Sequence, residues 1–336
     1  MLKVRVSDIK KISYERVGPQ KCDDYQAIID VHTVGICGSD MHVYLGKNPV
    51  LKPPRVQGHE FGGTVKDLGN GGGSIKKGDR VAVNPVISCG KCYYCKGGEE
   101  YLCENACVIG GEVEGAMQEE IVVPFKNLVV MPESFDLSYA PLIEPTSVAV
   151  HTVNIRPVKN ANILIIGLGT IGILIQQVSM LNNNRVISVD MKKYPLDMST
   201  KFGAALTLNA QENNNVEKSL LDFSAEDKID VVYDTVCSPK TFQMAINVVR
   251  KRGSVVVVGI APNNFVVDVL GILCKEIGIF GSYLYTHKEY EMAAEYVINE
   301  TIKVKELLSK TFSLREAEKA YEYKLNIPSL KVAVVV

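Results

Sequence analysis

The sequence predicts an α/β protein with two domains, one β-rich and one built on a doubly wound parallel sheet. Short β-branched runs bounded by turn residues fill the first 140 residues. From residue 161 onward, apolar runs alternate with helix-like stretches, which is the pattern of parallel strands joined by crossover helices. The length of 336 residues suits two domains of roughly 100–200 residues each.

The individual elements follow the same patterns. Strands are expected at residues 27–31, 64–65, 80–83 and 120–123. In the second region we expect strands at 161–166, 185–190, 229–234 and 254–259, with helices at 171–181 and 240–250. Helices at 288–300 and 314–323 and a strand at 331–336 complete the prediction.

The composition excludes several classes of protein. Hydrophobic residues make up 46% and charged residues 22%, which are ordinary values for a globular chain. The net charge of −1 provides no basic field for nucleic acid. No apolar run reaches the roughly 18 residues of a membrane span, and Lys3 and Arg5 stand where a signal peptide needs an apolar core. We therefore expect a cytoplasmic protein without nucleic-acid or membrane partners.

Four of the nine cysteines form a metal-binding pattern. They are Cys89, Cys92, Cys95 and Cys103, in the spacing Cys-x2-Cys-x2-Cys-x7-Cys. In a reducing compartment this clustering predicts four thiolates around one zinc ion, and a site whose corners are all filled by protein is structural. Redox-active or merely buried cysteines, and an iron–sulfur cluster, are the alternatives. Cys107 is interpreted as a bystander.

A second group of ligand types stands apart from this cluster. Cys37 lies in Gly-Ile-Cys-Gly-Ser-Asp, and His59 and Glu60 follow Gly58. Together they predict an open metal site. Glu144 is a further candidate, because a carboxylate in an apolar stretch is costly without a cation or a hydrogen bond. Its alternative role is that of a helix N-terminal residue that offsets the helix dipole.

The sequence Gly-Leu-Gly-Thr-Ile-Gly, from Gly167 through Gly169 to Gly172, follows a predicted buried strand and opens a helix. In that context it predicts a dinucleotide pyrophosphate site at the helix N-terminus. Asp190 ends the next strand, where a carboxylate binds ribose hydroxyls and repels a 2′-phosphate, which favours NAD over NADP. Lysines at 192 and 193 weaken that preference. The alternative is a structural glycine turn in an unrelated α/β sheet.

Taken together, these motifs resemble the zinc-dependent medium-chain dehydrogenase family over nearly the whole chain. The resemblance implies a GroES-like catalytic domain of residues 1–150, completed by 287–336, and a Rossmann NAD-binding domain of residues 151–286. It also implies one catalytic and one structural zinc per chain, NAD as cofactor, and a homodimer or homotetramer.

Within this family, residues 142–151 are similar to the branch that acts on polyols, threonine and sugar acids, and the nearest likeness is to hexonate 5-dehydrogenases of the L-gulonate and L-galactonate types. The implied reaction transfers a hydride between NAD and a secondary alcohol of a polyol or sugar acid. Sorbitol-, polyol-phosphate- and threonine-type substrates are the alternatives, and a non-catalytic NAD-binding protein is a remote one. Met117 replaces the usual phenylalanine near the substrate, and Pro195 replaces a basic residue near the adenosine. The substrate and adenosine contacts are therefore expected to differ from those of the relatives.

The resemblance also implies residue roles. Cys37, His59 and one of Glu60 and Glu144 bind the catalytic zinc, with the other carboxylate close behind, since neighbours on a regular strand point to opposite faces. Asp40 orients the His59 ring. Ser39 takes the hydroxyl proton and passes it by way of the cofactor ribose to His42. The implied cofactor contacts are Gly167, Gly169, Ile171, Gly172, Asp190, Val258, Gly259 and Ile260.

Overall fold

The computed structural model describes residues 1–223, 228–261 and 263–336, which form two compact units. One unit comprises Met1–Ser147 and Thr286–Val336, and the other comprises Val148–Tyr285. The catalytic role of the first unit and the NAD-binding role of the second stay a prediction. Among the described helices, none combines the length and the apolar content that crossing a membrane requires.

The chain as far as residue 155 is mostly β-structure. The strands are β1 (Leu2–Asp8), β2 (Lys11–Arg16), β3 (Gln26–Ile36), β4 (Glu60–Leu68), β5 (Arg80–Val83), β6 (Val86–Ile87), β7 (Cys107–Val108), β8 (Glu120–Pro124) and β9 (Leu128–Val130). The helices are α1 (Gly38–Tyr44), α2 (Tyr93–Lys96) and α3 (Ile143–Ile155), with 3-10 turns at Glu100–Leu102, Phe125–Asn127 and Leu137–Leu142.

The second unit is a parallel sheet with helices in its connections. Its strands are β10 (Asn162–Ile166), β11 (Arg185–Asp190), β12 (Leu206–Asn209), β13 (Ile229–Asp234), β14 (Val249–Val257) and β15 (Gly278–Gly281). Its helices are α4 (Thr170–Met180), α5 (Lys193–Lys201), α6 (Val216–Phe223), α7 (Pro239–Val248) and α8 (Val269–Lys275). All neighbours pair in parallel in the order β12-β11-β10-β13-β14-β15. The order reverses between β10 and β13, and ligands bind at such a switch point.

The C-terminal segment returns to the first unit. It contains α9 (His287–Ile298), β16 (Leu308–Ser313), α10 (Ala317–Asn326) and β17 (Lys331–Val335), with 3-10 turns at Lys305–Leu307 and Leu314–Glu316. Its last strand completes the main sheet, whose order is β16-β17-β3-β4-β5-β9, with β8 also paired to β3. Alternate residues of these strands fill one apolar core, which includes Val34, Phe61 and Val332. The predicted GroES-like and Rossmann architectures are therefore both present.

Some predicted bounds are wrong. The helix expected at 288–300 ends at Ile298, and the strand expected at 254–259 is β14, Val249–Val257. The helix expected at 240–250 ends at Val248, and β14 begins at Val249. A register irregularity and the positive φ of Arg252 bend the start of that strand, so the sequence pattern is irregular there. The helix expected at 314–323 begins as a 3-10 turn and becomes α10 only at Ala317.

Candidate active site

The four predicted thiolates lie together. The sulfur atoms of Cys89, Cys92, Cys95 and Cys103 all fall within 4.8 Å of one another. The sulfurs of Cys89 and Cys95 are 4.0 Å apart, close to the roughly 3.8 Å expected between two thiolates on a tetrahedral zinc with 2.3 Å bonds. Cys92 is the N-cap residue of the short helix α2, which supplies the reversal between Cys92 and Cys95. This arrangement fits a zinc ion.

Backbone amides near the cluster favour the thiolate form of some of these groups. N–H groups of Lys91 and Cys92 lower the pKa of Cys89 to about 6. Burial and the neighbouring sulfurs raise the pKa of Cys95 to about 11. The last proton is therefore hard to remove beside existing thiolates, and a divalent cation relieves that repulsion.

Cys37, His59 and Glu60 form the second group of ligand types. Their ligand atoms also lie within 4.8 Å of one another. Cys37 follows β3 and is the N-cap residue of α1. Glu60 begins β4 and pairs with Gly35 on β3. The antiparallel pairing of β3 and β4 thus brings two distant motifs to one place.

The expectation that His59 and Glu60 point to opposite faces is wrong in its premise. The regular strand starts only at Glu60, and Gly58 has a φ of +99°. His59 therefore precedes the pleated strand and follows a glycine with left-handed backbone, and its ligand nitrogen lies within 4.8 Å of the ligand atoms of Cys37 and Glu60.

Asp40 is a buried residue that contacts both Cys37 and His59. It is 2% exposed, and its Oδ2 accepts a hydrogen bond from the Cys37 backbone N–H at 2.9 Å. Its Oδ1 lies 3.7 Å from His59 Nδ1. Burial lowers the pKa of His59, but the charges of Asp40 and Cys37 outweigh burial and raise that pKa well above its ordinary value. Gln57 donates to the Asp40 carbonyl and accepts from the Tyr321 hydroxyl, so helix α10 also holds this loop.

Sequence reasoning missed Lys331, the first residue of β17. Its Nζ lies 2.6 Å and 2.5 Å from the two carboxylate oxygens of Glu60. Both side chains are almost fully buried. Burial lowers the pKa of Lys331, but Glu60 outweighs burial and raises it. The sequence did carry a signal for Lys331. A lysine at the start of an apolar strand is costly to bury, as is the carboxylate of Glu144, unless it meets an opposite charge.

Glu144 lies in the first turn of α3 and is 6% exposed. Its charge raises the pKa of both His59 and Lys331. Among the described residues, its carboxylate is not one of the three groups whose ligand atoms all lie within 4.8 Å. The structure therefore places Glu144 beside the cluster and also at a helix N-terminus, and both predicted roles are compatible with its position.

Ser39 and His42 lie on α1, directly after Cys37. They are three residues apart and therefore share one face of the helix. Ser39 is half-buried, whereas His42 is exposed.

The glycine-rich loop follows β10 and opens α4 at the switch point of the second unit. Gly167 has a φ of +90°, and a Cβ there would lie 2.5 Å from Thr235 Oγ1. A Cβ on Gly172 would collide with the carbonyl oxygen of Gly167. Gly169 is the N-cap of α4, and a Cβ there would meet no heavy atom within 4 Å. The surrounding residues leave space at Gly169, which fits a pyrophosphate at the helix N-terminus.

Asp190 ends β11, as predicted for a ribose-binding residue. Its carboxylate accepts hydrogen bonds from the backbone N–H groups of Leu168 and Lys192, at 2.7 Å and 2.8 Å. The carboxylate is therefore fixed against the glycine-rich loop. Further along, the N–H groups of Val258 and Gly259 donate to the carbonyl of Asp234.

The remaining cofactor candidates have mixed surroundings. A Cβ on Gly259 would lie 2.6–2.7 Å from the backbone of Thr235 and Val236, so packing alone explains this glycine. Ile260 is 63% exposed and Ile171 is half-buried.

Comparison with known proteins supports the same interpretation. The family model described as "Alcohol dehydrogenase GroES-like domain" matches residues 23–133. The model described as "Zinc-binding dehydrogenase" matches residues 168–299. Together they cover more than half of the chain.

Full-length relatives agree. The chain is 34% identical to the starvation-sensing protein RspB of Escherichia coli K12, covering 87% of this chain and 86% of that protein. It is 31% identical to D-xylulose reductase A of Aspergillus oryzae, covering 93% and 90%.

Solved structures show the same fold. A short chain alcohol dehydrogenase (rspB) from E. coli CFT073, complexed with NADH, is 30% identical with a TM-score of 0.93, covering 100% of this chain and 99% of that one. L-idonate 5-dehydrogenase from E. coli K-12 is 25% identical with a TM-score of 0.92, covering 100% and 98%. The chain therefore belongs to the zinc-dependent medium-chain dehydrogenase family, as an NAD(P)-dependent alcohol dehydrogenase.

Proposed function

We propose that this enzyme transfers a hydride between NAD and a secondary alcohol of a polyol or sugar acid, in the manner of the hexonate 5-dehydrogenases. The observation that carries the proposal is the group of half-buried Cys37 and His59 and buried Glu60, whose ligand atoms converge within 4.8 Å near a further buried carboxylate, Glu144. A thiolate, an imidazole and a carboxylate suit an open zinc site.

In this site Cys37, His59 and one of the two glutamates would hold the metal. A zinc ion bound there supplies Lewis acidity, which lowers the pKa of a bound hydroxyl. Asp40 fixes the site by accepting from the Cys37 amide and lying against the His59 ring. Such a partner orients the imidazole and increases its basicity.

The proton of the substrate hydroxyl is assigned to Ser39 Oγ, two residues after Cys37 on α1. From Ser39 the proton passes toward His42, which is exposed and therefore able to exchange with water. Residues three apart share one face of the helix, and the family resemblance implies that the ribose of a bound cofactor would link the two groups.

The preference for a polyol or sugar acid rests on the ligand set and on the relatives. Glu144 stands where simple alcohol dehydrogenases carry a cysteine, and a carboxylate gives a harder site suited to vicinal hydroxyls. D-xylulose reductase and L-idonate 5-dehydrogenase, among the similar proteins, are named for sugar-derived substrates. Met117 stands where relatives carry a phenylalanine near the substrate, and it lies next to Gly58, the residue before His59, in the apolar core.

The choice of NAD rests on Asp190. A carboxylate fixed at the end of β11 accepts hydrogen bonds from ribose hydroxyls and repels a 2′-phosphate. The similar E. coli enzyme complexed with NADH agrees with this choice. Reduced thiols are needed at both metal sites, which supports a cytoplasmic location, and symmetric association as a homodimer or homotetramer is the usual outcome for such enzymes.

The test is a substrate screen with the zinc-loaded enzyme. Formation of NADH is followed with hexonates, unphosphorylated polyols, polyol phosphates, threonine and simple secondary alcohols, each with NAD and NADP. We expect the highest kcat/KM with a hexonate or polyol and NAD. Preference for threonine, a polyol phosphate or a simple alcohol would overturn the substrate assignment, and no turnover with any of them would overturn the function.

A further inference from the structure

The contact between Lys331 and Glu60 crosses an intervening strand. In the main sheet β17 pairs with β3, and β3 pairs with β4. Neighbouring strands lie about 4.8 Å apart, so the backbones of β17 and β4 are separated by roughly 10 Å. A lysine side chain can span that distance only if no side chain of the intervening strand β3 lies in its path.

Gly35 on β3 leaves that space open. It pairs with Ala333 on β17 and with Glu60 on β4, so these three residues share one face of the sheet. A Cβ on Gly35 would collide with the Glu60 carboxylate oxygen Oε2. Lys331, two residues before Ala333, is on the same face, and its ammonium meets both oxygens of Glu60 above Gly35.

This contact competes with metal binding. Both oxygens that Glu60 would offer to a metal lie against the Lys331 ammonium. A cation beside a divalent metal also repels it, and burial keeps water from screening that repulsion. Removing Lys331 would leave Glu60 as an unpaired buried charge, which a bound metal then neutralises.

We propose that Lys331 is a positioning residue that holds Glu60 and thereby weakens the affinity of the Cys37–His59–Glu60 site for zinc. The inference rests on the proposed function, because it assumes that this site binds the catalytic zinc. The Glu60 carboxylate is then divided between Lys331 and the metal. A coordination position of the metal stays available for Glu144 or substrate oxygens.

The test measures zinc affinity by competition with a coloured chelator, without any activity readout. The zinc of the open site is identified as the ion that Cys37→Ala removes. For Lys331→Met we expect at least about tenfold tighter binding of that ion, in the range by which partners of ligand groups alter affinity. Lys331→Arg, which keeps the charge, should stay near wild type. Lys310→Met removes an exposed lysine on the neighbouring strand β16 and is the matched control.

A double-mutant cycle shows whether Lys331 acts through Glu60. Glu60→Gln alone should weaken zinc binding, and adding Lys331→Met in that background should change affinity by much less than the same change in wild type. If Lys331→Met does not fold, Lys331→Gln takes its place, with tighter binding still expected, and Glu60→Gln is measured in any case.

The outcomes separate the two claims. Affinity within about twofold of wild type in the neutral Lys331 variant, or in Glu60→Gln, would overturn the role of Lys331. If Cys37→Ala removes no zinc, the proposed function itself fails, independently of Lys331.

Discussion

The carboxylate of Asp190 accepts a hydrogen bond from the backbone N–H of Leu168, inside the glycine-rich loop, at 2.7 Å. One side chain therefore fixes the loop and also stands at the strand end predicted to bind ribose. For Asp190→Ala we expect KM for NAD to rise at least about tenfold, because a charged hydrogen-bond partner is worth roughly 1.5–3 kcal/mol. Initial-rate kinetics with NAD and NADP measure the effect.

Asp190→Asn is the matched control for this substitution. It keeps an oxygen for the Leu168 amide but loses the charge that repels a 2′-phosphate. Use of NADP should therefore improve relative to NAD in this variant. Unchanged kinetics with both cofactors in both variants would count against the assigned role of Asp190.

Cys37→Ala removes one ligand of the open site. We expect turnover to be lost while the fold is retained, since Cys37 is half-buried at the end of β3 and its backbone still caps α1. Activity assays combined with circular dichroism check both parts. A fully active variant would refute the open zinc site.

Asp40→Asn tests the residue that supports the imidazole. The uncharged amide can still accept from the Cys37 N–H but loses the charge next to His59. Zinc affinity at the open site should fall by about 10–100-fold, as for other partners of ligand histidines. The pKa of His59 should also drop, because Asp40 is the largest of the charges that raise it. Zinc affinity equal to wild type would show that Asp40 stabilises only the backbone around Cys37 and does not contribute to zinc binding.

Cys92→Ser removes a sulfur from the four-cysteine cluster. A structural zinc contributes directly to folding, so we expect stability to fall more than chemistry. If the substitution costs about 3 kcal/mol, the midpoint of thermal unfolding falls by roughly 6–12 °C. Calorimetry measures the midpoint, and Cys107→Ser, a cysteine outside the cluster, is the control. Equal midpoints for the two variants would contradict a structural metal.

The sequence predicted those features that depend on local pattern. The cysteine spacing, the glycine-rich loop and the apolar runs of β10 and β13 each carry their structure within a few residues. The irregular start of β14 was not predictable from periodicity, because its bend depends on the pairing with β13 and on the left-handed backbone of Arg252.

The open site was predictable in its residue types but not in its arrangement. The relation of Glu60 to Lys331 depends on the order β17-β3-β4, which joins residues 271 positions apart. Likewise, His59 follows the left-handed backbone of Gly58 and lies before the start of β4, which a rule for regular strands could not anticipate. Long-range pairing of this kind leaves only a weak signal in one sequence, namely a charge in an apolar run.

The most direct test of the account is a count of zinc ions per chain in the fully loaded enzyme, with the same count for Cys37→Ala and Cys92→Ser. Two ions are expected in the native protein, with loss of the catalytic one in Cys37→Ala and weaker binding of the other in Cys92→Ser. A single ion per native chain, unaffected by Cys37→Ala and lost with Cys92→Ser, would contradict it.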